Sequence, residues 1–244
     1  MPRKVIEIKN LSYSYPDGTS AIKALSLDVF EAESVGIIGP NGAGKTTLLL
    51  HLNGILRGTN HIRILDLEIN DKTLPLLRKK VGLVFQHPDD QLFMPYVFDD
   101  VAFGPLNMGL TKDQVENAVR CALKEVDMLD CIRRPSHHLS AGQKKRVSLA
   151  TVLSMAPEVL VLDEPSSDLD PKHRRDLIQI IKRLKITKLI ATHDLDLVLE
   201  VCSRVVLLDS GKLVASGGVL EIFNNRQLLE AHNLGIPNAM CRTI

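Results

Sequence analysis

The residues best suited to chemistry lie in two short stretches. The first, Gly39-Pro40-Asn41-Gly42-Ala43-Gly44-Lys45-Thr46, fits the pattern GxxxxGK[ST] in full. Glycines let a backbone fold round a phosphate without Cβ collisions. The N–H groups then converge on the anion, and a helix that follows adds positive potential at its N-terminus. In such a loop Lys45 reaches the β- and γ-phosphates and the Thr46 hydroxyl ligates Mg²⁺. The second stretch, Val159-Leu160-Val161-Leu162-Asp163-Glu164, ends an apolar run on two adjacent acids. Asp163 is suited to hold Mg²⁺, and Glu164 to polarise an attacking water as general base. Taken alone, the acid pair could equally be a solvated strand end. The phosphate loop upstream decides for chemistry.

Both stretches need elements to position them. Ser34-Val35-Gly36-Ile37-Ile38 is short, continuous and rich in β-branched residues, as a buried parallel strand is, and residues 46–52 continue it as a helix. Before it, Val5, Ile6 and Ile8, then Leu11, Tyr13 and Tyr15, predict strand. The turn Pro16-Asp17-Gly18 and a second alternating run at Ile22, Leu25, Leu27 and Val29 predict an antiparallel hairpin. Residues 81–85, 159–162, 188–191 and 205–208 read as further strands. Residues 88–105, with their prolines and paired acids, read as loop. Residues 111–129 predict a helix with Thr111 as N-cap, and another helix starts near Ser140. Strand–helix alternation on both sides of a helical middle implies an α/β fold: a mainly parallel sheet, an N-terminal antiparallel β subdomain and an inserted α-helical subdomain. The expected division is residues 1–220 as one domain, with the insert at about 88–155, and 221–244 as a helical tail with a loose end.

A phosphate loop alone does not separate kinases, GTPases and transport motors. Leu139-Ser140-Ala141-Gly142-Gln143 does: it resembles the LSGGQ signature of the ATP-binding-cassette (ABC) ATPases, with Ala141 at the first Gly position. Other landmarks of that family follow in order. Tyr15 matches the aromatic that stacks on adenine, with Tyr13 as the competing candidate. Gln86 matches the Q-loop glutamine, which senses Mg²⁺ and water. Asp163 and Glu164 match the Mg²⁺ acid and the catalytic acid. Ser167-Asp168-Leu169-Asp170 occupies the D-loop, with Asp168 where Gly is usual, and His193 matches the switch histidine. The resemblance implies ATP and Mg²⁺ as cofactors, bound by Gly39 through Thr46, by Thr47, and by Ser140, Gly142 and Gln143. It implies Glu164, His193, Gln86 and Lys45 as the catalytic set, and Thr46, Gln86 and Asp163 around the metal. It also implies a head-to-tail dimer, with a second copy or a homologous ATPase, in which one subunit's signature completes the other's site. Lys144, Lys145 and Arg146 read as a solvated helix face.

The stretch from Val81 through Gln86 to Phe93, continuing over Asp99-Asp100-Val101-Ala102-Phe103-Gly104-Pro105-Leu106-Asn107, resembles the ATPases of energy-coupling-factor importers, most closely their cobalt and nickel branch. Gly211-Lys212 through Phe223 resembles the same group, while Gly58-Thr59-Asn60-His61-Ile62 is shortened and lacks its glycines. That resemblance implies a transmembrane coupling subunit, docked in a groove after Gln86, and a separate membrane protein that selects the cargo. A vitamin importer of the same type is the first alternative, and a non-transport ABC ATPase, as in DNA repair, the second.

The composition agrees. The chain has 244 residues, 45% of them hydrophobic and 24% charged, enough for one large α/β domain with a sizeable core. Thirty basic and twenty-nine acidic residues leave a net charge of +1, and Trp is absent. Neither a basic stripe nor stacking platforms speak for nucleic acid as partner. Cys121, Cys131, Cys202 and Cys241 are scattered and read as reduced thiols, and His61, His137 and His138 as solvated or structural histidines. No apolar run approaches the ~20 residues of a membrane span. A membrane role is therefore expected through another subunit, with this chain peripheral on the cytoplasmic face.

Overall fold

The computed structural model describes residues 2–57 and 61–241. The alternating N-terminal runs form β1 (Lys4–Ser14) and β2 (Ser20–Phe30), paired antiparallel with Ile8 opposite Leu27 and Tyr13 opposite Ile22. Their inward residues, among them Ile6, Ile8, Leu25 and Val29, are fully buried. β3 (Ser34–Ile38) is buried along its whole length and leads through the glycine-rich loop into α1 (Lys45–Leu52). β4 (His61–Ile64) and β5 (Leu67–Glu68) extend the hairpin, giving a four-stranded antiparallel sheet in the order β2-β1-β4-β5. After them come α2 (Leu74–Lys80) and β6 (Val81–Val84). Three helices follow: α3 (Val97–Asn107), α4 (Lys112–Glu125) and α5 (Ala141–Leu153).

The chain then returns to strand–helix alternation. β7 (Val159–Asp163), α6 (Pro171–Arg183), β8 (Thr187–Ala191), α7 (Leu195–Val201), β9 (Arg204–Asp209) and β10 (Lys212–Gly218) succeed one another. The second sheet has the order β10-β9-β3-β8-β7-β6. All its pairings are parallel except β10 with β9. Alternation along the strands divides its faces. Val159 and Val161 point to the core shared with α1 and the antiparallel sheet, while Leu160 and Leu162 join the core of α3 to α6. The short helices α8 (Val219–Asn224), α9 (Arg226–Ala231) and α10 (Asn238–Cys241) close the described chain, and Phe223 and Leu229 bury themselves near β9. The fold is the α/β class expected, with a mainly parallel sheet, an N-terminal antiparallel β subdomain and an inserted group of helices.

Four local expectations need correction. Residues 97–105, read as loop, are helical. Asp99 and Asp100 lie in the first turn of α3, where carboxylates meet the positive end of the helix dipole. Asp100, 3% exposed, accepts hydrogen bonds from the N–H groups of Phe93 and Met94 and from the Ser136 hydroxyl. Pro105 has no N–H to give the Val101 carbonyl, and the Ser154 hydroxyl donates to it instead at 2.9 Å. Second, α4 stops at Glu125 rather than 129, because the chain turns through a left-handed Asp127 (φ 55°). Third, β6 stops at Val84: the Phe85 N–H leaves the ladder and donates to the Gln91 side chain at 3.1 Å. Fourth, Lys145 does not belong to a solvated face; it is 4% exposed. Of the shortened stretch, Gly58, Thr59 and Asn60 lie outside the described residues, as do residues 242–244, while Ile62 is buried in β4.

Candidate active site

The loop between β3 and α1 is shaped by glycines that have no substitute. Gly39 (φ 151°) lies so near the Leu208 carbonyl on β9 that a Cβ would sit 2.0 Å from its oxygen. Gly44 (φ 98°) would place one 2.4 Å from the Ala21 carbonyl on β2. Strands from both sheets therefore set the loop's path. Lys45, 8% exposed, lies back over this loop and donates to the carbonyls of Gly39 at 2.8 Å and Pro40 at 3.1 Å. Burial holds its pKa below the usual lysine value, against the pull of Glu164 and Asp163.

The two acids stand at the end of β7. Asp163 is 5% exposed, and burial raises its pKa, against a hydrogen bond from Thr46. Its Oδ1 is buried with no hydrogen-bond partner among the described residues. An orphaned carboxylate oxygen beside a threonine hydroxyl and a phosphate loop fits a hydrated Mg²⁺. Glu164 has left-handed backbone (φ 43°), which turns its side chain out of the strand. Its carboxylate accepts from the Thr192 hydroxyl at 3.1 Å and from the His193 N–H at 3.2 Å. The His193 Nδ1 lies 2.8 Å from Oε2.

One open pocket gathers Tyr15, Gly39 through Thr47, Gln86, Glu164 and His193, with Asp163 buried beneath. The Tyr15 hydroxyl and the Thr47 hydroxyl are 2.9 Å apart, and the Tyr15 ring forms part of the wall. Tyr13 instead packs edge-on to His51 at 4.8 Å, against the core. The two rings meet edge-on at 5.1 Å, and of the two it is Tyr15 that lines the pocket.

Ser140, Gly142 and Gln143 do not line this pocket. Ser140 is the exposed N-cap of α5; its Oγ accepts from the Gln143 N–H, and the Gln143 side chain accepts from the Ser140 N–H, a reciprocal capping box. Both departures from the family pattern have a local account. Ala141 is exposed, so its methyl meets solvent. Gly142 is buried, and a Cβ there would lie 2.7 Å from the His173 ring. Asp168 has left-handed backbone (φ 60°), the conformation that favours Gly and that Asp tolerates better than most residues.

Sequence reasoning missed several pocket neighbours. Thr192 is fully buried beside Glu164, and its one signal was its place before His193. Asn233 and Leu234, from the tail, line the pocket's rim and have no motif to announce them. Lys145, on α5, reaches under the pocket floor.

A second concavity lies between α2, α3 and α5. It is walled by Ile55, Phe85, Phe93, Phe103 and Met155, with Arg78 and Lys79 at its edge. Phe93 (62% exposed) and Phe103 (42%) meet edge-to-face at 5.0 Å. Gln91 anchors its floor, donating to the Ser148 carbonyl and the Thr151 hydroxyl on α5.

The family model described as ABC transporter matches residues 22–167. The energy-coupling factor transporter ATP-binding protein EcfA of Methanothermobacter thermautotrophicus is 48% identical over 239 residues, covering 96% of this chain and 77% of the relative. The protein of the same name from Methanococcus maripaludis is 46% identical over 239 residues, covering 96% and 86%. Among solved structures, cbiO1 from Clostridium perfringens, part of the ABC transporter complex cbiONQ, superposes with a TM-score of 0.83 at 37% identity, covering 99% of both chains.

Proposed function

The chain belongs to the ABC transporter family of ATPases, and we propose that it is the motor subunit of an energy-coupling-factor-type importer, closing as a dimer over two ATP molecules. One observation carries the dimer reading. Lys45, Thr46, Gln86, Glu164 and His193 share a pocket, while the signature residues Ser140, Gly142 and Gln143 stand apart from it. Phosphoryl transfer needs positioning and charge neutralisation on every side of the γ-phosphate. A second copy, or a homologous ATPase, would bring its own Ser140 and the positive end of its α5 to the open side.

The residues have distinct tasks in this reading. Tyr15 stacks on adenine. The amides of Gly42 and Gly44 and the Lys45 ammonium bind the β- and γ-phosphates. Thr46, Asp163 and Gln86 hold Mg²⁺, which when bound neutralises phosphate charge. Glu164 accepts the proton of the attacking water, and His193 orients that water and the γ-phosphate. Hydrolysis divides the anion that bridges the two subunits, so the interface loses its reason to stay closed.

Residues 1–220 are taken as the ATPase domain, 88–155 as its helical insert and 221–244 as the tail. The concavity beside Phe93 is the proposed seat of the transmembrane coupling subunit, its exposed rings supporting that use. The chain then works on the cytoplasmic face, peripheral to the membrane. Cobalt or nickel is the proposed cargo, supported by the resemblance of residues 81–107 to that branch. The test is reconstitution with the membrane proteins that co-purify with the chain, followed by ATP-dependent uptake of labelled Co²⁺, Ni²⁺ and vitamins. Metal uptake is expected. Vitamin uptake without metal uptake overturns the cargo, and outward movement of any cargo overturns the importer reading.

A further inference from the structure

Among the described residues, Lys145 is a buried charge near the pocket that the roles above leave unused. It lies on α5, five positions after Ser140, and is 4% exposed. A lysine ammonium has three N–H donors. Here each finds a different oxygen: the Gln86 carbonyl at 2.7 Å, the Glu164 carbonyl at 3.0 Å and the Ser167 hydroxyl at 3.0 Å. These acceptors belong to the segment leaving β6, the acid closing β7 and the turn before α6.

The bond to Glu164 falls on a strained residue. A glutamate at φ 43° persists only where its surroundings over-determine it. Three donors converge on that one carbonyl: Lys145 Nζ at 3.0 Å, the Ser167 hydroxyl at 2.9 Å and the Ser167 N–H at 3.2 Å. The same backbone turn aims the Glu164 carboxylate at Thr192 and His193. Lys144, the residue before it, reaches Asp89 at 2.6 Å, so two successive lysines of α5 grip the segment 86–89.

We propose that Lys145 is a positioning residue for hydrolysis: it holds the backbone of Glu164 and Gln86 in register with the helix that carries Ser140. Because Ser140 serves the partner's nucleotide in the reading above, on which this inference rests, Lys145 links the two sites through one subunit. When α5 shifts against the partner's phosphate, the ammonium carries Gln86 and Glu164 with it. Removing the ammonium leaves both side chains present but loosens their aim. A misplacement of about 1 Å at a reacting centre costs up to ~10²-fold in rate.

The test uses the full chain and Mg²⁺-ATP. Lys145→Met keeps the stem and removes the donors, and Lys145→Gln keeps an amide donor. ATP affinity and KM are expected to stay within about three-fold in both, while kcat falls ~10- to 100-fold in Lys145→Met and recovers in part in Lys145→Gln. The steepness of hydrolysis against ATP concentration should fall with kcat. Unchanged kcat in Lys145→Met overturns the proposal. So does a loss of kcat matched by loss of ATP affinity and melting temperature in both variants, since that marks a lysine needed only for folding. Glu164→Gln, measured beside them, keeps the two claims apart: if it hydrolyses ATP normally, the assignment of Glu164 fails whatever Lys145 does.

Discussion

The imidazole of His193 and the carboxylate of Glu164 face each other across 2.8 Å, the first 66% exposed and the second 10%. The pair joins the end of β7 to the loop after β8, adjacent strands whose register sets Asp163 opposite Ala191. The imidazole is largely exposed, while the buried carboxylate also accepts from the Thr192 hydroxyl.

That arrangement makes Glu164 the residue to test first. Glu164→Gln preserves shape but removes the basic oxygen. ATP binding should persist and steady-state hydrolysis should fall by ~10²–10⁴-fold, the usual contribution of a general base. The variant should also accumulate as an ATP-bound dimer in size-exclusion chromatography. Hydrolysis within a few-fold of wild type would remove Glu164 from the mechanism.

The shared-site reading predicts complementation. Lys45→Ala damages the pocket and Ser140→Arg damages the remote signature, so each alone should be inactive. A mixture can assemble one dimer site from two undamaged faces, and ATPase activity on mixing reports it. Activity in either single variant would rule out a composite site.

Tyr15 should answer for adenine. Tyr15→Ala is expected to weaken nucleotide binding by ~1–3 kcal/mol, the range of base–aromatic stacking. Tyr15→Phe should be mild, since it loses only the contact with Thr47. Titration with a fluorescent ATP analogue distinguishes them, and an unchanged affinity in Tyr15→Ala would exclude stacking there.

Phe93→Ala probes the groove without touching the pocket. Nucleotide binding by the isolated chain should be unaltered, while co-purification with the coupling subunit and uptake by the assembled transporter should fall sharply. Normal association would mean that Phe93 only pins α3 to the core.

His51 gives the fold an acid limb. It is 1% exposed on α1; its Nδ1 meets the Thr47 carbonyl at 2.8 Å, and its Nε2 is buried without a hydrogen-bond partner among the described residues. Burial lowers its pKa below the usual 6.5, against that carbonyl bond. The unfolded chain takes up the proton near the ordinary value while the folded chain resists it, so stability falls as pH drops below about 6.5. Thermal unfolding between pH 8 and 5 should show the decline, and His51→Gln should flatten it. An unchanged slope in the variant would assign the acid limb to other groups.

Much of this was legible in the sequence because the chemistry imposes its own spacing. A phosphate loop needs Gly39, Gly44 and Lys45 at fixed offsets, and the acids must follow a strand. The buried strands showed themselves by unbroken apolar runs. What stayed hidden was decided by contacts between distant residues. Pro105 and Asp100 are loop signals by type, yet α3 forms because Ser154 answers the Val101 carbonyl and Asp100 binds the turn before it. Lys145 sits among basic neighbours on a helix, and nothing in its own stretch tells that Gln86 and Ser167 lie opposite. The division between Tyr13 and Tyr15 likewise rests on His51, far along the chain.

The central position of β3 has a consequence for how the protein is made. Ser34 pairs with Lys188 and Ile38 with Leu207, so the strand carrying the phosphate loop finds its neighbours near the other end of the chain. Gly39 takes its path against the carbonyl of Leu208. β2 precedes the loop, but a ribosome releases the loop long before β9, the later strand that shapes it. Until β9 has left the exit tunnel, the nascent chain has the motif but no pocket, and ATP cannot reward its early folding. Such distant parallel pairing is slow to form and leaves apolar strands exposed meanwhile. Chaperone demand should accordingly be concentrated in the interval between synthesis of β3 and synthesis of β9.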